Sequence, residues 1–247
     1  MMMQTENSRA LSLKKISRFL SILKEGIEIL YYRLKVPFFE WKEQRWVRLN
    51  LYHDKTFKNL DSKLLESSNP YLESKVFPYG ETPLRAFELM GKKANLTASD
   101  VFMDLGCGRG RGVFFLSTFF HCKGIGIDLT ASFMQKARAL SRSHAKKNVS
   151  FICKNFLDFD LSCATCIYLY GITYSDETLK MLEEKFKTLP LHSRILTIDE
   201  PLSSSLTGAN TSSLTPSFQV EFNWGKADVF LYQKTALEDP QFTLQFS

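Results

Sequence analysis

The sequence predicts a doubly wound α/β domain with a mostly parallel, seven-stranded sheet. It closes on an antiparallel β-hairpin, and a helical segment precedes the domain. Three observations carry this. Short apolar runs alternate with helix-like segments from residue 82 onward, the pattern of a parallel sheet covered on both faces. Two runs at the C-terminal end, Phe218 to Trp224 and Val229 to Gln233, are only four residues apart, too close for a parallel crossover. The chain has 247 residues, which at about 150 per domain allows one large domain plus an arm.

The elements follow in order. Thr82 is placed to cap a helix with Pro83 at its first position, running to Ala94. Val101 to Leu105 is the first strand, ending at Gly106, and a helix continues to about Phe120. Gly124 to Asp128 is the second strand, followed by a helix over 131–143. Val149 to Cys153, Cys166 to Tyr170 and Arg194 to Ile198 are the third, fourth and fifth strands, with a helix over 176–188 between the last two. Ser203 to Ser217 is rich in Ser and Thr and reads as a loop. The domain is expected to span 77–247 and the arm 1–76.

The arm carries the charge. Residues 1–60 hold 12 Lys/Arg and 6 Asp/Glu, while 61–247 hold 20 of each, so the formal net charge of +6 belongs to the N-terminal segment. A basic arm suits an anionic partner, such as nucleic acid or an anionic surface, or is simply a solvated helix face. Leu13, Ile16, Leu20, Leu23, Ile27, Leu30 and Leu34 alternate at spacings of three and four, an apolar stripe that Pro37 ends. The stripe is expected to dock on the main domain, with self-association or membrane-surface binding as alternatives. Residues 38–60 interleave aromatic and basic side chains, read as a packed helix with snorkelling cations rather than a nucleic-acid platform. Charges at 24, 25 and 28 argue against a signal peptide, and no apolar run approaches the roughly 18 residues of a membrane span. Five Cys, an odd number, read as reduced thiols of a cytoplasmic protein. Cys163 and Cys166 have no second pair, and the four His show no ligand spacing, so no metal is expected.

The densest chemical signal is Asp104-Leu105-Gly106-Cys107-Gly108-Arg109-Gly110-Arg111-Gly112. Glycines alternate directly after a strand and open a helix, which lets the backbone approach a ligand. In an open α/β sheet that position lies outside the carboxyl end of the strand, where ligands bind. Asp128 closes the second strand, where a carboxylate can take both hydroxyls of a ribose. Asp104 at the mouth of the turn would repel a pyrophosphate and suits a ligand with a cationic amino-acid end. No Gly-Lys-Ser/Thr follows, which excludes a P-loop.

An Asp-x-Gly-x-Gly-x-Gly turn after the first strand, an acidic end to the second and a closing hairpin resemble the class I S-adenosylmethionine-dependent methyltransferases, a Rossmann-like family. More narrowly, residues 77–235 resemble the DOT1-like histone-lysine methyltransferases. Tyr79-Gly80-Glu81-Thr82, Asp100 to Gly110, Asn155-Phe156-Leu157 and Phe222-Asn223-Trp224-Gly225-Lys226 leading into Phe230 carry that likeness. The resemblance implies S-adenosyl-L-methionine as cofactor. Tyr79, Glu81 and Thr82 would hold its methionine end, Asp104, Gly106 and Gly108 would form the loop, and Asp128 would take the ribose. Asn155 and Phe156 would meet adenine, with Asp158 as a substitute for Asn155. It also implies a protein acceptor, a lysine side chain, entering a channel walled by Tyr170, Tyr174, Trp224 and Phe230. The chain departs from the DOT1-like pattern after the fourth strand, where Tyr170-Gly171-Ile172 replaces Asn-Asn-Phe. A small-molecule or nucleic-acid acceptor, or a non-catalytic binding module, are therefore alternatives. Asp199-Glu200 after the fifth strand either faces the pocket as a base or a cation anchor, or is a hydrated loop pair ahead of Pro201.

Overall fold

The computed structural model describes residues 82–143, 146–170, 174–203, 216–222, 225–234 and 242–245, together with Leu23, Ile27 and Leu30. The chain divides into two compact units, 1–48 and 49–247. In the first unit Leu23, Ile27 and Leu30 are helical and each about half exposed, so the apolar stripe is uncovered at these positions. The rest of the arm, and with it the aromatic–basic segment, lies outside the described residues.

In the second unit the described elements are α1 (Leu84–Lys93), β1 (Val101–Leu105), α2 (Arg111–Phe119), β2 (Lys123–Asp128), α3 (Ala131–Ser143), β3 (Val149–Cys153), a 3-10 turn (Phe156–Asp158), β4 (Cys166–Leu169), α4 (Asp176–Phe186), β5 (Arg194–Ile198), β6 (Phe218–Phe222), β7 (Gly225–Lys234) and β8 (Phe242–Leu244). The strand order is β3-β2-β1-β4-β5-β7-β6, with β8 also paired to β7. β1 to β5 are parallel and β7 runs antiparallel to β5, β6 and β8. The doubly wound sheet with its closing hairpin is thus present. The seven strands gain a short eighth, because β7 is ten residues long and β6 covers only its first half.

The crossovers β1-α2-β2 and β2-α3-β3 step the same way across the sheet, which places α2 and α3 on one face. The next steps reverse, so α4 covers the other face. There Met103, Leu105, Ile167, Leu169, Ile195, Phe230 and Tyr232 pack with Leu182 and Phe186 of α4. The direction reverses between β1 and β4, and the carboxyl ends of those two strands frame the crevice where this architecture places ligands.

Two local expectations are corrected. Pro83, not Thr82, is the N-cap of α1, and no side chain caps that helix. The Thr82 hydroxyl instead shares a 2.7 Å hydrogen bond with the Tyr168 hydroxyl on β4. The hairpin is also tighter than expected: Phe222 pairs with Gly225, leaving two residues between the strands. Among the described residues no helix is long and apolar enough to cross a membrane.

Candidate functional site

The glycine turn is built by backbone geometry. Gly106, Gly108 and Gly110 have φ of 80°, 54° and 81°, in the left-handed region that side chains rarely adopt. The amides of Gly106 and Cys107 both donate to the carbonyl of Ile127, at 2.9 and 3.0 Å, so the turn is fixed to the end of β2. Gly110 then starts α2, with its amide donating to Cys107 O at 2.9 Å.

Asp128 ends β2 beside this turn. Its Oδ2 accepts from Gly108 N at 2.8 Å and its Oδ1 from Thr130 N at 2.7 Å. Burial raises its pKa above the ordinary carboxylate value, and these two amides oppose the rise. Asp104 on β1 is 4% exposed, with no hydrogen-bond partner for its carboxyl among the described residues. Burial, aided by the neighbouring Asp128, pushes it up to about 8. An uncompensated buried carboxyl is costly unless a cation meets it. This pair of acids flanking bare backbone fits a ligand with an ammonium at one end and ribose hydroxyls further along.

The other expected site residues fall as follows. Asn155 Oδ1 accepts from Leu157 N at 2.9 Å and so caps the 3-10 turn, with its second lone pair left for a ligand. Phe156 is 8% exposed and packs with the core below α4. Tyr174 meets it edge-on, ring centroids 5.2 Å apart, and sets its hydroxyl 2.3 Å from where a Cβ on Gly106 would stand. Tyr170 stacks on Phe222 at 6.0 Å. Tyr79, Glu81 and Trp224 lie outside the described residues.

The structure does not bring Phe230 to Tyr170. The pairings Phe222↔Gly225 and Val220↔Ala227 put Phe222 on one face of the hairpin with the odd-numbered residues of β7. Phe230 is therefore on the opposite face, 6% exposed and stacked along Tyr232. Of the expected channel residues, Tyr170 and Phe230 thus lie on opposite faces of the sheet. Asp199 Oδ1 accepts from Asp228 N at 2.8 Å and ties β5 to β7. Among the described residues no group of His, Cys, Asp and Glu can hold a metal, and all five Cys are free thiols.

Sequence reasoning missed Tyr168. It faces the same side as Asp104, its register partner on β1, and hydrogen-bonds Thr82. Its place at the end of an apolar strand next to β1 was the available signal. A cleft of about 730 Å³ lies elsewhere among the described residues, at the amino ends of β4 and β5, where Arg194 pairs with Asp100 and with the carbonyls that end α1.

Comparison with known proteins agrees with this geometry. A family model described as a methyltransferase domain matches residues 96–208. A protein-lysine N-methyltransferase of Saccharolobus islandicus is 29% identical over 110 residues, 44% of this chain and 68% of that protein. A demethylmenaquinone methyltransferase of Lactococcus lactis is 30% identical over 115 residues, 44% of this chain but only 45% of that protein. The solved structure of an RNA methyltransferase from Salinibacter ruber, in complex with S-adenosyl-L-homocysteine, superposes with a TM-score of 0.51 at 22% identity, over 65% of this chain and 98% of that one. Fold, carboxylate-headed glycine turn and domain match together make the chain an S-adenosylmethionine-dependent methyltransferase of class I architecture.

Proposed function

We propose that the enzyme methylates a protein, at a lysine side chain, and that within its class it stands with the DOT1-like enzymes. The observation that carries this reading is the aromatic pair Tyr170–Phe222 at the carboxyl end of β4. A lysine must lose its proton before it can attack, and an aromatic wall disfavours the charged amine while guiding its stem. The relative named as a protein-lysine N-methyltransferase supports the same acceptor. Free thiols and an intracellular acceptor of this kind fit a cytoplasmic enzyme.

S-adenosylmethionine, when bound, supplies a methyl group on a sulfonium, open to in-line attack. The residues of this chain supply alignment and field. Asp104 would hold the amino-acid end through its buried carboxyl. Asp128 would hold the ribose, fixed by Gly108 N and Thr130 N. The bare backbone at Gly106 and Gly108 would allow close approach. Phe156 and Asn155 would flank adenine, and Thr82, with Tyr79 and Glu81 ahead of it, would close over the methionine end. The amine of the acceptor would reach the methyl past Tyr170.

The test uses methyl-labelled S-adenosylmethionine, the full-length protein and a cell lysate. Label is expected in protein and, after hydrolysis, in methyl-lysine. Label confined to RNA or to the solvent-soluble fraction would overturn the lysine reading and leave the methyltransferase standing.

A further inference from the structure

Tyr174 directly precedes Ser175, the N-cap of α4, whose hydroxyl accepts from Thr178 N. Its ring stands edge-on against Phe156, with planes at 87°. Its hydroxyl reaches the Gly106 backbone, 2.3 Å from the place of a Cβ there. Burial holds the pKa of that hydroxyl well above the ordinary phenol value, and Asp128, Asp104 and Cys107 act on it electrostatically in the same direction. Phe156, the Gly106 backbone, Asp104 and Asp128 are the four surfaces assigned above to adenine, to close backbone approach, to the amino-acid end and to the ribose. The Tyr174 side chain packs on the first and reaches the second, with both acids within its electrostatic reach, and a side chain and a cofactor cannot share that volume.

We infer that Tyr174 occupies the cofactor's place in the free enzyme and must swing out before S-adenosylmethionine can bind. The inference rests on assigning the glycine turn to that cofactor. The obstruction is a side chain and not backbone, so a change at one residue removes it. Binding to a minor, opened population weakens the apparent affinity by the fraction open. The contact that must break is an edge-to-face aromatic pair together with the burial of a phenol. An aromatic pair of this kind sets the effect at about three- to tenfold.

The test measures S-adenosylhomocysteine binding to the full chain by calorimetry and stopped-flow fluorescence. The proteins are the wild type, Tyr174→Ala and Tyr174→Leu; the leucine keeps packing on Phe156 but cannot reach Gly106. The wild-type rate should level off at high ligand, because opening precedes binding. In both variants it should rise linearly, with Kd lowered about three- to tenfold. Thermal melting of each variant checks that it is folded, and either folded variant suffices for the test. Weaker binding in a folded variant, with the wild-type kinetic form retained, would overturn the proposal and make Tyr174 an ordinary wall of the site. No binding to the folded wild type or variants would instead defeat the cofactor assignment, and the proposal with it.

Discussion

Replacing Asp104 by Asn should make the free protein more stable and a poorer binder, and the size of the effect follows from burial. The Asp104 carboxyl, ordinarily at 3.8, is raised to about 8 in the fold. The folded state therefore prefers the protonated acid. The stability it contributes is fully present below about pH 4 and is lost as the pH rises through about 8. Each tenfold change in proton affinity is worth about 1.4 kcal/mol, which sets a ceiling near 6 kcal/mol at pH 9. Even a third of that, ~2 kcal/mol, moves the melting temperature of a domain this size by about 4–8 °C. Asn has the same shape without the charge, so the difference in melting temperature between variant and wild type should grow from pH 5 to pH 9 in favour of the variant. Affinity for S-adenosylhomocysteine should fall about tenfold or more, since the amide cannot pair with an ammonium as a carboxylate does. In the wild type, that affinity should rise with pH up to about 8, with proton release on binding below it. Thermal melts and calorimetry across this range check both halves. A variant less stable than wild type at pH 9, or one that binds as tightly, would refute the reasoning.

Other substitutions separate scaffold from site. Gly110→Ala places a Cβ 2.2 Å from the Phe151 ring at φ 81°, and a loss of about 2–3 kcal/mol in denaturant unfolding is expected. Asp128→Asn removes the charge that receives Gly108 N and Thr130 N. It should weaken S-adenosylhomocysteine binding by about tenfold or more, read by calorimetry. Arg194→Met breaks the pair with Asp100 at the opposite end of the sheet. It should cost about 3 kcal/mol of stability while leaving the Kd for S-adenosylhomocysteine within about twofold of wild type.

Much of this was legible in the residues, for physical reasons. Parallel strands are buried on both faces, so Val101 to Leu105, interrupted only by Asp104, and Cys166 to Leu169 read as apolar runs. The glycine turn announced itself because left-handed φ at three alternating positions leaves glycine as the favoured choice. The cap at Thr82 did not follow from local preference, because a tertiary partner, Tyr168, claimed the hydroxyl. β8 escaped notice because three residues on an edge carry too short a pattern to register. Phe230 is the instructive miss. Phe222 and Phe230 look equivalent in sequence, but the Phe222↔Gly225 pairing decides which parity of β7 shares a face with Phe222. A slip of one residue in that pairing would have put the two rings on the same side. The position of Tyr174 over Gly106 was likewise hidden, since it depends on where the chain re-enters after β4.

A crystal structure of the full chain with S-adenosylhomocysteine tests the central claim most directly. The account predicts the amino group of the ligand on Asp104, the ribose hydroxyls on Asp128, adenine against Phe156 and Tyr174 turned away from Gly106. Ligand density away from the glycine turn, or Tyr174 unmoved beside a ligand bound there, would contradict it.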